Sequence, residues 1–319
     1  MSSSNPITLR LGTRASPLAT AQSRLIADDL MRLVPCLRVE TILIRTSGDK
    51  FQDRSLADEG GKGLFVKELE EALLEKRIDF AVHSFKDVPV TMPLVDQADL
   101  MIAAVPVRED VRDVAVMRNP SAGPTPPGAI VGTSSLRRRC QILELIPNAR
   151  IELLRGNIDT RIGKLRDGRY DIILLAAAGL KRAGLFDPAF MQFLDAEKFL
   201  PAPAQGALAI QCRRGDEQTK KILSVLNHAP TALCVEAERA LVRQLNGDCH
   251  SPIAALAGLS GSPDHPTLTL AAAVGCRDGQ PPVSRAQASG PASDVPHIVS
   301  NVYTSLKIQG AIERLHRHP

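Results

Sequence analysis

Apolar and polar positions alternate in two similar stretches of the chain. Residues 7–13 alternate like a strand, and Ser16-Pro17 then supplies a helix N-cap and a first-turn proline. Residues 130–135 repeat this layout from strand into helix. Each stretch therefore predicts a strand, a tight turn and an amphipathic helix. The second helix is expected to bury an apolar side formed by Leu136, Leu143 and Ile146.

The two stretches belong to a longer internal repeat. Residues 33–40 and 145–152 correspond at a constant offset, and residues 77–80 resemble residues 169–172 just before an apolar strand in each half. Repetition on this scale indicates two similar α/β lobes, and strands that alternate with helices predict mostly parallel sheets. Ligands of such sheets bind beyond the carboxyl ends of the strands, so we expect the lobes to enclose a ligand cleft.

The pattern changes after Pro230. A long amphipathic helix is predicted to Leu245, followed by a loop to Pro252, strands in residues 267–274 and a last helix near residues 297–315. This order indicates a small third domain of the α+β type. The predicted fold class is α/β, with two similar doubly wound lobes around a cleft, as in periplasmic binding proteins, and a small α+β C-terminal domain.

Length and composition are those of a multidomain globular protein. The chain has 319 residues, 44% of them hydrophobic and 23% charged, which favours two or three domains. Residues 1–11 lack the apolar core of a signal peptide, and the longest apolar run, residues 172–180, is too short to span a bilayer. The six cysteines are scattered, without the spacing of a disulfide framework or a zinc site. We therefore expect a cytoplasmic protein without a metal site.

Positive charge is concentrated in one segment. The net charge is +4, but residues 133–182 hold eleven Lys or Arg against five Asp or Glu. Such a segment favours an anionic partner. Nucleic acid is disfavoured because only 3% of the residues are aromatic, with two Tyr and no Trp to stack on bases. A small polyanion fits better.

The basic residues of this segment fall where a ligand of the second lobe would bind. Arg137-Arg138-Arg139 lie in the first turn of the predicted helix. The helix dipole disfavours cations there, so their presence needs another explanation. Four more basic residues lie near the ends of predicted elements, Arg155, Arg161, Lys181 and Arg182. A solvated basic face is the ordinary explanation for any one of them. As a set they favour carboxylate binding, because an Arg fork matches a carboxylate at both oxygens.

Asp87 comes shortly after the predicted buried strand at residues 80–82, at the ligand edge of the first lobe. A carboxylate there would stabilise a developing substrate cation and manage its proton, which arginines cannot do. A turn or capping aspartate explains Asp87 equally well from the residues alone. His83 is more often a hydrogen-bonded structural histidine. The glycine-rich residues 60–63 predict a surface loop, with a lid carrying Lys62 as the alternative.

Cys249 lies in a turn-rich loop, residues 246–252, whereas the other cysteines mostly sit among apolar residues. An accessible sulfur in such a loop is able to act as a thiolate nucleophile. Most lone cysteines are inert, however, and the adjacent His250 is weak support. Asp248 would raise the thiol pKa because the two groups carry like charge.

Five motifs, taken in order, closely resemble the porphobilinogen deaminase family, also called hydroxymethylbilane synthases. They are Gly60 to Glu70, Ala81 to Pro89, Val131 to Arg138, Leu154 to Asn157 and Ala178 to Arg182. The resemblance runs from Leu9 to about Pro252, and the C-terminal part matches in layout more than in motif. It implies a transferase of tetrapyrrole (heme) biosynthesis that joins porphobilinogen units head to tail into hydroxymethylbilane and releases ammonia.

The resemblance also implies residue roles. Asp87 would be the catalytic group, and Cys249 would carry a dipyrromethane cofactor through a thioether. Further matching positions are expected to hold the cofactor: Lys86, Thr133, Ser135, Arg137, Arg138 and Arg161. A second set is expected to bind the substrate: Arg14, Ser16, Lys62, Arg155, Arg182 and Gln205. A basic cleft suits this chemistry, because each porphobilinogen unit carries an acetate and a propionate.

By the same resemblance, the chain returns to the first lobe after the second. The expected boundaries are residues 1–106 with 206–228 for lobe 1, 107–205 for lobe 2 and 229–319 for the C-terminal domain that carries the cofactor cysteine. A monomer that requires no metal or nucleotide is expected.

Departures from the family pattern lie beside the cofactor cysteine. The family usually has Gly or Ser before the Cys and an apolar residue or Thr before the Pro, whereas this chain has Asp248 and Ser251. Gly247 and Pro252 keep the frame, so the assignment of Cys249 is retained. The departures bear on the environment of the cysteine and on the rate of cofactor loading.

Two functions from other classes fit parts of the sequence. A non-catalytic solute-binding protein also has two duplicated α/β lobes around a cleft. The missing export signal and the presence of Cys249 argue against it. An RNA-binding protein would use the basic segment, but aromatic side chains are scarce, and binding that survives high salt would exclude it further.

Overall fold

The fold contains two compact units. The computed structural model describes residues 7–45, 66–90, 99–120, 128–248 and 250–317. The first unit comprises Met1–Glu109 with Ala207–Ala232, and the second comprises Asp110–Gly206 with Leu233–Pro319. Each unit is built around a five-stranded sheet, and the second also contains a three-stranded sheet.

The described residues form strands and helices in an alternating order along most of the chain. The strands are β1 (Ile7–Thr13), β2 (Leu37–Leu43), β3 (Phe80–Ser84), β4 (Leu100–Ala104), β5 (Asp113–Met117), β6 (Ile130–Gly132), β7 (Arg150–Glu152), β8 (Ile172–Ala176), β9 (Met191–Phe193), β10 (Leu208–Arg213), β11 (Ile253–Ser262), β12 (His265–Val274) and β13 (Ser284–Pro291). The helices are α1 (Pro17–Leu33), α2 (Lys67–Leu74), α3 (Leu136–Leu145), α4 (Ile158–Arg166), α5 (Ala177–Arg182), α6 (Glu217–Leu223), α7 (Ala229–Gln244), α8 (Val295–Ile308) and α9 (Ala311–His316).

The two five-stranded sheets share one arrangement. The first has the order β2-β1-β3-β10-β4 and the second β7-β6-β8-β5-β9. In each, four strands run in one direction, and the strand in the fourth place is antiparallel to both of its neighbours. The fold class is confirmed, but the sheets are mixed where mostly parallel ones were predicted. The antiparallel strands β10 and β5 lie outside the repeated β-α-β pattern, so that pattern gave no sign of their pairing.

A repeated contact ties the third strand of each sheet to the first. The Asp79 carboxylate accepts a hydrogen bond from the backbone NH of Arg10 (2.8 Å), and Asp171 accepts one from Ile130 (2.9 Å). Both aspartates precede the buried third strand, as the sequence repeat indicated. Salt bridges from Arg10 and Arg213 also reach Asp79. Burial raises the pKa of Asp79, but hydrogen bonds from Arg10 and Arg213 outweigh it, and the net pKa lies below the usual value.

Local signals set the starts of the two helices that face the ligand edges. Ser16 accepts a hydrogen bond from the backbone NH of Ala19 at the start of α1, and Pro17 occupies the first turn. Ser135 caps α3 in the same way. The buried side of α3 differs from the apolar side that was predicted: Leu143 is buried, but Leu136 and Ile146 are only partly buried. The buried side also includes three polar residues, Arg137, Arg138 and Gln141, together with Cys140 and Ile142.

The C-terminal part of the second unit is a small α+β region. Strands β11, β12 and β13 form an antiparallel sheet, and α8 packs on β13 and β12. Glu238 of α7 is fully buried and accepts hydrogen bonds from the backbone NH groups of Ala204 and Ala257, which ties the segment before β10 to β11. Across the described ranges, no helix combines the length and apolar character needed to cross a bilayer.

Candidate active site

One set of predicted site residues lies at the carboxyl edge of the first sheet. Arg14 and Ser16 follow the end of β1, and Lys86 and Asp87 lie on a 3₁₀ turn, Phe85–Asp87, directly after β3. Strands β1 and β3 are parallel neighbours, so their carboxyl ends meet at the same edge. The predicted residues Arg14, Ser16 and Asp87 are thereby brought together.

These side chains line one pocket of about 80 Å³, which also contains Gln22, His83 and Ser84. Gln22 and Ser84 exchange hydrogen bonds of 3.0 and 3.2 Å, so the hydroxyl and amide on that wall are fixed. Asp87 is exposed and Arg14 half-buried. Among the described residues that line it, the pocket therefore offers one anion, Asp87, and one cation, Arg14, beside neutral polar and apolar groups. Such a set is able to bind a carboxylate arm and to stabilise a cation beside it.

His83 is the first residue of a buried series of hydrogen-bonded side chains. Its Nε2 atom lies 2.9 Å from Oε1 of Gln211, whose Nε2 donates to Glu70 at 2.9 Å. All three side chains are buried. Burial and, less strongly, the charge of Arg14 outweigh the opposing hydrogen bond with Gln211 and lower the pKa of His83 to about 4. The prediction that His83 is a hydrogen-bonded histidine is confirmed.

A second set of predicted site residues lies at the carboxyl edge of the second sheet. Thr133 and Ser135 follow β6, and the loop with Arg155 follows β7. Arg182 ends α5, the helix directly after β8. Gly156 in this loop has φ +111° and its Cβ would lie 2.9 Å from Thr160, so only glycine fits the turn that leads into α4.

Asp113 organises this second set of residues. It begins β5 opposite Ala176, the last residue of β8, and is fully buried. Its carboxylate accepts a hydrogen bond from Nη1 of Arg137 at 2.8 Å. It accepts two more from Arg138, from Nη2 at 2.7 Å and from Nε at 3.1 Å. Burial raises its pKa, but the two guanidinium groups outweigh this and hold the pKa well below the usual range. The two arginines therefore form a fixed pair with one positive charge in excess.

Arg137 and Arg138 are only 4% and 7% exposed, yet part of each fork remains available. Nη1 of Arg137 also donates to the Leu200 carbonyl at 2.7 Å, so both of its hydrogens are used. Nε and Nη2 of Arg137 make no hydrogen bond to another described residue. Arg138 donates further to the Leu174 carbonyl at 2.9 Å. Any ligand contact is therefore confined to a few fixed N–H groups.

Gln205 joins the same cluster. Its Nε2 donates to the Val111 carbonyl at 2.8 Å and to Asp113 at 3.0 Å, which uses both amide hydrogens. The side chain is fully buried. The predicted substrate contact of Gln205 would therefore have to be made through its carbonyl oxygen.

Arg161 and Arg182 are each anchored to a backbone carbonyl. Nε of Arg161 donates to Gly156 at 2.7 Å, and Nη2 of Arg182 donates to Gly206 at 2.8 Å. Lys164 donates to the carbonyl of Arg155 at 3.0 Å, which holds the turn on which Arg155 lies. These contacts fix the direction of the Arg161 and Arg182 guanidinium groups, which lie on α4 and α5, and hold the turn that carries Arg155.

Two predicted residues, Lys62 and Cys249, lie outside the described residues. The neighbours of Cys249 are described: Asp248 accepts hydrogen bonds from the Ser251 hydroxyl at 2.8 Å and from the backbone NH of His250 at 3.0 Å. Arg277 lies 3.9 Å from the same carboxylate. Burial raises the pKa of Asp248, but these hydrogen bonds and the charge of Arg277 lower it overall. The negative charge beside the cysteine is thus partly offset.

Sequence reasoning missed Asp113, Gln211 and Glu70. Asp113 stands alone among apolar residues of a strand, and Gln211 likewise interrupts an apolar run. A single polar residue in a buried strand is a usable signal, because it needs a buried partner. The sequence does not say which partner that is.

Comparison with sequence families decides the relationship. The model of the porphobilinogen deaminase dipyromethane cofactor binding domain matches residues 9–221, and that of the porphobilinogen deaminase C-terminal domain matches residues 232–307. The chain belongs to the porphobilinogen deaminase family. Its larger matching part is therefore a cofactor-binding domain of that family.

Curated relatives agree over nearly the whole chain. Porphobilinogen deaminase of Acidithiobacillus ferrooxidans is 47% identical over 311 residues, which covers 97% of this chain and 97% of the relative. The enzyme of that name from Geobacter metallireducens is 44% identical and covers 97% of this chain and 94% of the relative. That from Sorangium cellulosum is 49% identical, with 80% and 84% covered.

Similar solved structures are distant. A probable amino-acid ABC transporter extracellular-binding protein from Bacillus subtilis is 10% identical with a TM-score of 0.41, covering 69% of this chain and 89% of its own. The methionine binding protein MetQ is 14% identical with a TM-score of 0.40, covering 76% and 97%.

Proposed function

We propose that this chain condenses four porphobilinogen units head to tail into hydroxymethylbilane, with release of ammonia, as a transferase of tetrapyrrole biosynthesis. Family membership over nearly the whole chain supports the proposal. The observation that carries it in the molecule is the pocket shared by Asp87 and Arg14. It sets the one anion able to stabilise a cation beside a cation able to bind a carboxylate.

In this proposal the residues of the first unit act on the incoming substrate. Arg14 and Ser16 bind a carboxylate of porphobilinogen, and this orients the aminomethyl carbon toward Asp87. Asp87 manages the proton of the leaving amine and stabilises the methylene-pyrrole cation that remains when ammonia departs. Lys62 and the substrate arginines, Arg155 and Arg182, neutralise further carboxylates, and Gln205 contributes to substrate binding.

The donor set of the second unit fits an acidic cofactor. Two hydroxyls, Thr133 and Ser135, and the remaining N–H groups of Arg137 and Arg138 suit a dipyrromethane with its acetate and propionate arms. We infer that Lys86 and Arg161 assist them and that Cys249 holds the group through a thioether. When bound, the cofactor supplies the terminal pyrrole carbon to which the first substrate unit is joined.

We propose further that the protein is a cytoplasmic monomer that binds neither nucleic acid, membrane nor metal. We also propose three domains with the boundaries expected above, residues 1–106 with 206–228, 107–205 and 229–319. Size-exclusion chromatography with light scattering would test the monomer, and limited proteolysis would test the domains.

The intact mass of the denatured protein tests the proposed function most directly. We expect an adduct of two pyrrole units in the unsubstituted protein and none in Cys249→Ala. Cys276→Ala is the matched control, because Cys276 is a part-exposed thiol of the same unit and should leave the adduct in place. An active protein without an adduct would refute the covalent cofactor. Porphobilinogen binding without turnover would favour the solute-binding alternative.

A further inference from the structure

His83 occupies a place where a polar side chain must be accommodated inside an apolar sheet. It lies on β3 opposite Ala209 of β10, and Gln211 lies opposite Ala81 two residues away. The two alanines on this face leave room for the imidazole and the amide between the strands and α2, which supplies Glu70. The chain His83–Gln211–Glu70 is therefore built into the core of the first unit.

The direction of these hydrogen bonds determines which nitrogen of the imidazole carries the proton. A carboxylate oxygen of Glu70 only accepts hydrogen bonds, so the amide nitrogen of Gln211 faces it and donates at 2.9 Å. The amide oxygen of Gln211 consequently faces His83, and Nε2 of His83 must carry the proton that it donates at 2.9 Å. In a neutral ring, Nδ1 is then an acceptor.

The surroundings keep this ring neutral. The charged groups that face it are Arg14 across the pocket, Asp87 on the following turn and Glu70 beyond Gln211. Burial and the charge of Arg14 hold the pKa of His83 at about 4, so the ring carries no charge at neutral pH. Among the described residues, His83 makes its one hydrogen bond through Nε2, while its side chain lines the pocket with Arg14 and Asp87.

We propose that Nδ1 of His83 accepts a hydrogen bond from the protonated aminomethyl group of the substrate, so that His83 binds the leaving group beside Asp87. The proposal rests on the function proposed above and deepens it by assigning a second contact to the reacting amine. An ammonium group carries three donors, and one carboxylate does not satisfy them all.

The proposed role requires the imidazole of His83 to be uncharged. An imidazolium would repel the substrate ammonium and would compete with it for Asp87. A neutral acceptor adds binding without adding charge, and it leaves the negative charge of Asp87 for the cation that forms. The hydrogen bonds from Gln211 to Glu70 and from His83 to Gln211 support this role, because they hold the tautomer in which Nδ1 is the acceptor.

Two substitutions separate this role from a structural one. His83→Gln keeps a donor near the position of Nε2, so the hydrogen bond to Gln211 persists, but it removes the acceptor at Nδ1. His83→Asn keeps an acceptor near Nδ1 and loses the bond to Gln211. We expect His83→Gln to lower kcat/KM by about tenfold or more while it unfolds near the unsubstituted denaturant midpoint. We expect His83→Asn to lose less kcat/KM, although it is the less stable of the two.

The reverse order, with activity following stability, would show that His83 is only structural. ¹⁵N spectra of histidine-labelled protein give an independent readout. They should show protonated Nε2 and bare Nδ1 at His83 throughout about pH 5 to 8, and a charged ring or the other tautomer would overturn the proposal. The intact mass separates failure of the His83 role from failure of the proposed function. An adduct retained in both variants leaves the proposed function standing, whatever His83 does. Absence of the adduct from the unsubstituted protein would refute the proposed function itself.

Discussion

At the scale of single residues, Asp87 and Arg14 place opposite charges on one pocket, and their substitutions should have different consequences. Asp87→Asn preserves shape and removes the negative charge. We expect it still to bind porphobilinogen through Arg14 and Ser16 but to lower kcat by about 100-fold or more, because it removes more transition-state stabilisation than ground-state binding. Single-turnover kinetics would measure this. Near-normal turnover would remove Asp87 from the mechanism.

Asp113 is the residue whose loss should most affect folding. It holds Arg137, Arg138 and Gln205 from a fully buried position. Asp113→Asn leaves two buried guanidinium groups without their counter-charge, and we expect it to lower the free energy of unfolding by about 3–5 kcal/mol. Urea denaturation at neutral pH would measure the change. Asp264→Asn is the control, because Asp264 is exposed in a hairpin turn and should change stability by less than about 0.5 kcal/mol.

The same carboxylate gives a pH signature. The pKa of Asp113 is lower in the folded protein than in the unfolded chain, where it is about 3.9. Its contribution to stability is therefore complete above about pH 5 and is lost as the pH falls through and below the unfolded value. Denaturation between about pH 5 and pH 3 should be less pH-dependent in Asp113→Asn than in the unsubstituted protein. Parallel curves would contradict the buried ion pair.

At the scale of elements, the junction between β6 and β8 depends on a glycine. A Cβ at Gly132 would lie 2.8 Å from Cδ1 of Tyr170 and 3.0 Å from Ile173. The ring is buried and its hydroxyl donates to the Leu153 carbonyl, so it has little freedom to move. We expect Gly132→Ala to destabilise the protein by about 1–3 kcal/mol, measured by urea denaturation.

Gly163 provides the matched comparison within the same unit. It lies inside α4, and a Cβ there would meet no atom within 4 Å. Gly163→Ala should therefore stabilise the protein by about 0.5–1 kcal/mol through helix propensity alone. If both substitutions changed stability in the same direction, tight packing would be an incorrect explanation for the glycine at position 132.

At the scale of the whole molecule, charge is distributed to suit an acidic substrate. The net charge is only +4, while residues 133–182 carry eleven basic side chains against five acidic ones. We expect KM for porphobilinogen to rise severalfold between about 0.05 and 0.5 M NaCl, because added salt screens exposed charges. The value of kcat should change less, since salt screens the charges inside a pocket less than it screens exposed charges. Unfolding curves at both salt concentrations serve as the control, and a salt-independent KM would contradict the electrostatic argument.

The sequence by itself determined the local elements near the site. The strand over residues 7–13, the cap at Ser16 and the buried strand before Asp87 are as predicted, because side-chain periodicity and capping depend on neighbours a few residues away. The family was evident from motifs that the comparisons then confirmed. The residue roles that the resemblance implied for Asp87 and Cys249 remain predictions.

Only the tertiary structure decided which charges are buried and where protons lie. Asp113 pairs with arginines 24 and 25 positions away, and His83 meets Gln211 across 128 positions, so no local pattern encodes either contact. The predicted apolar side of α3 was wrong in part for the same reason: a buried carboxylate on another strand made burial of Arg137 and Arg138 favourable. Periodicity records that a position faces inward, whereas the partner it meets there depends on how distant strands pair.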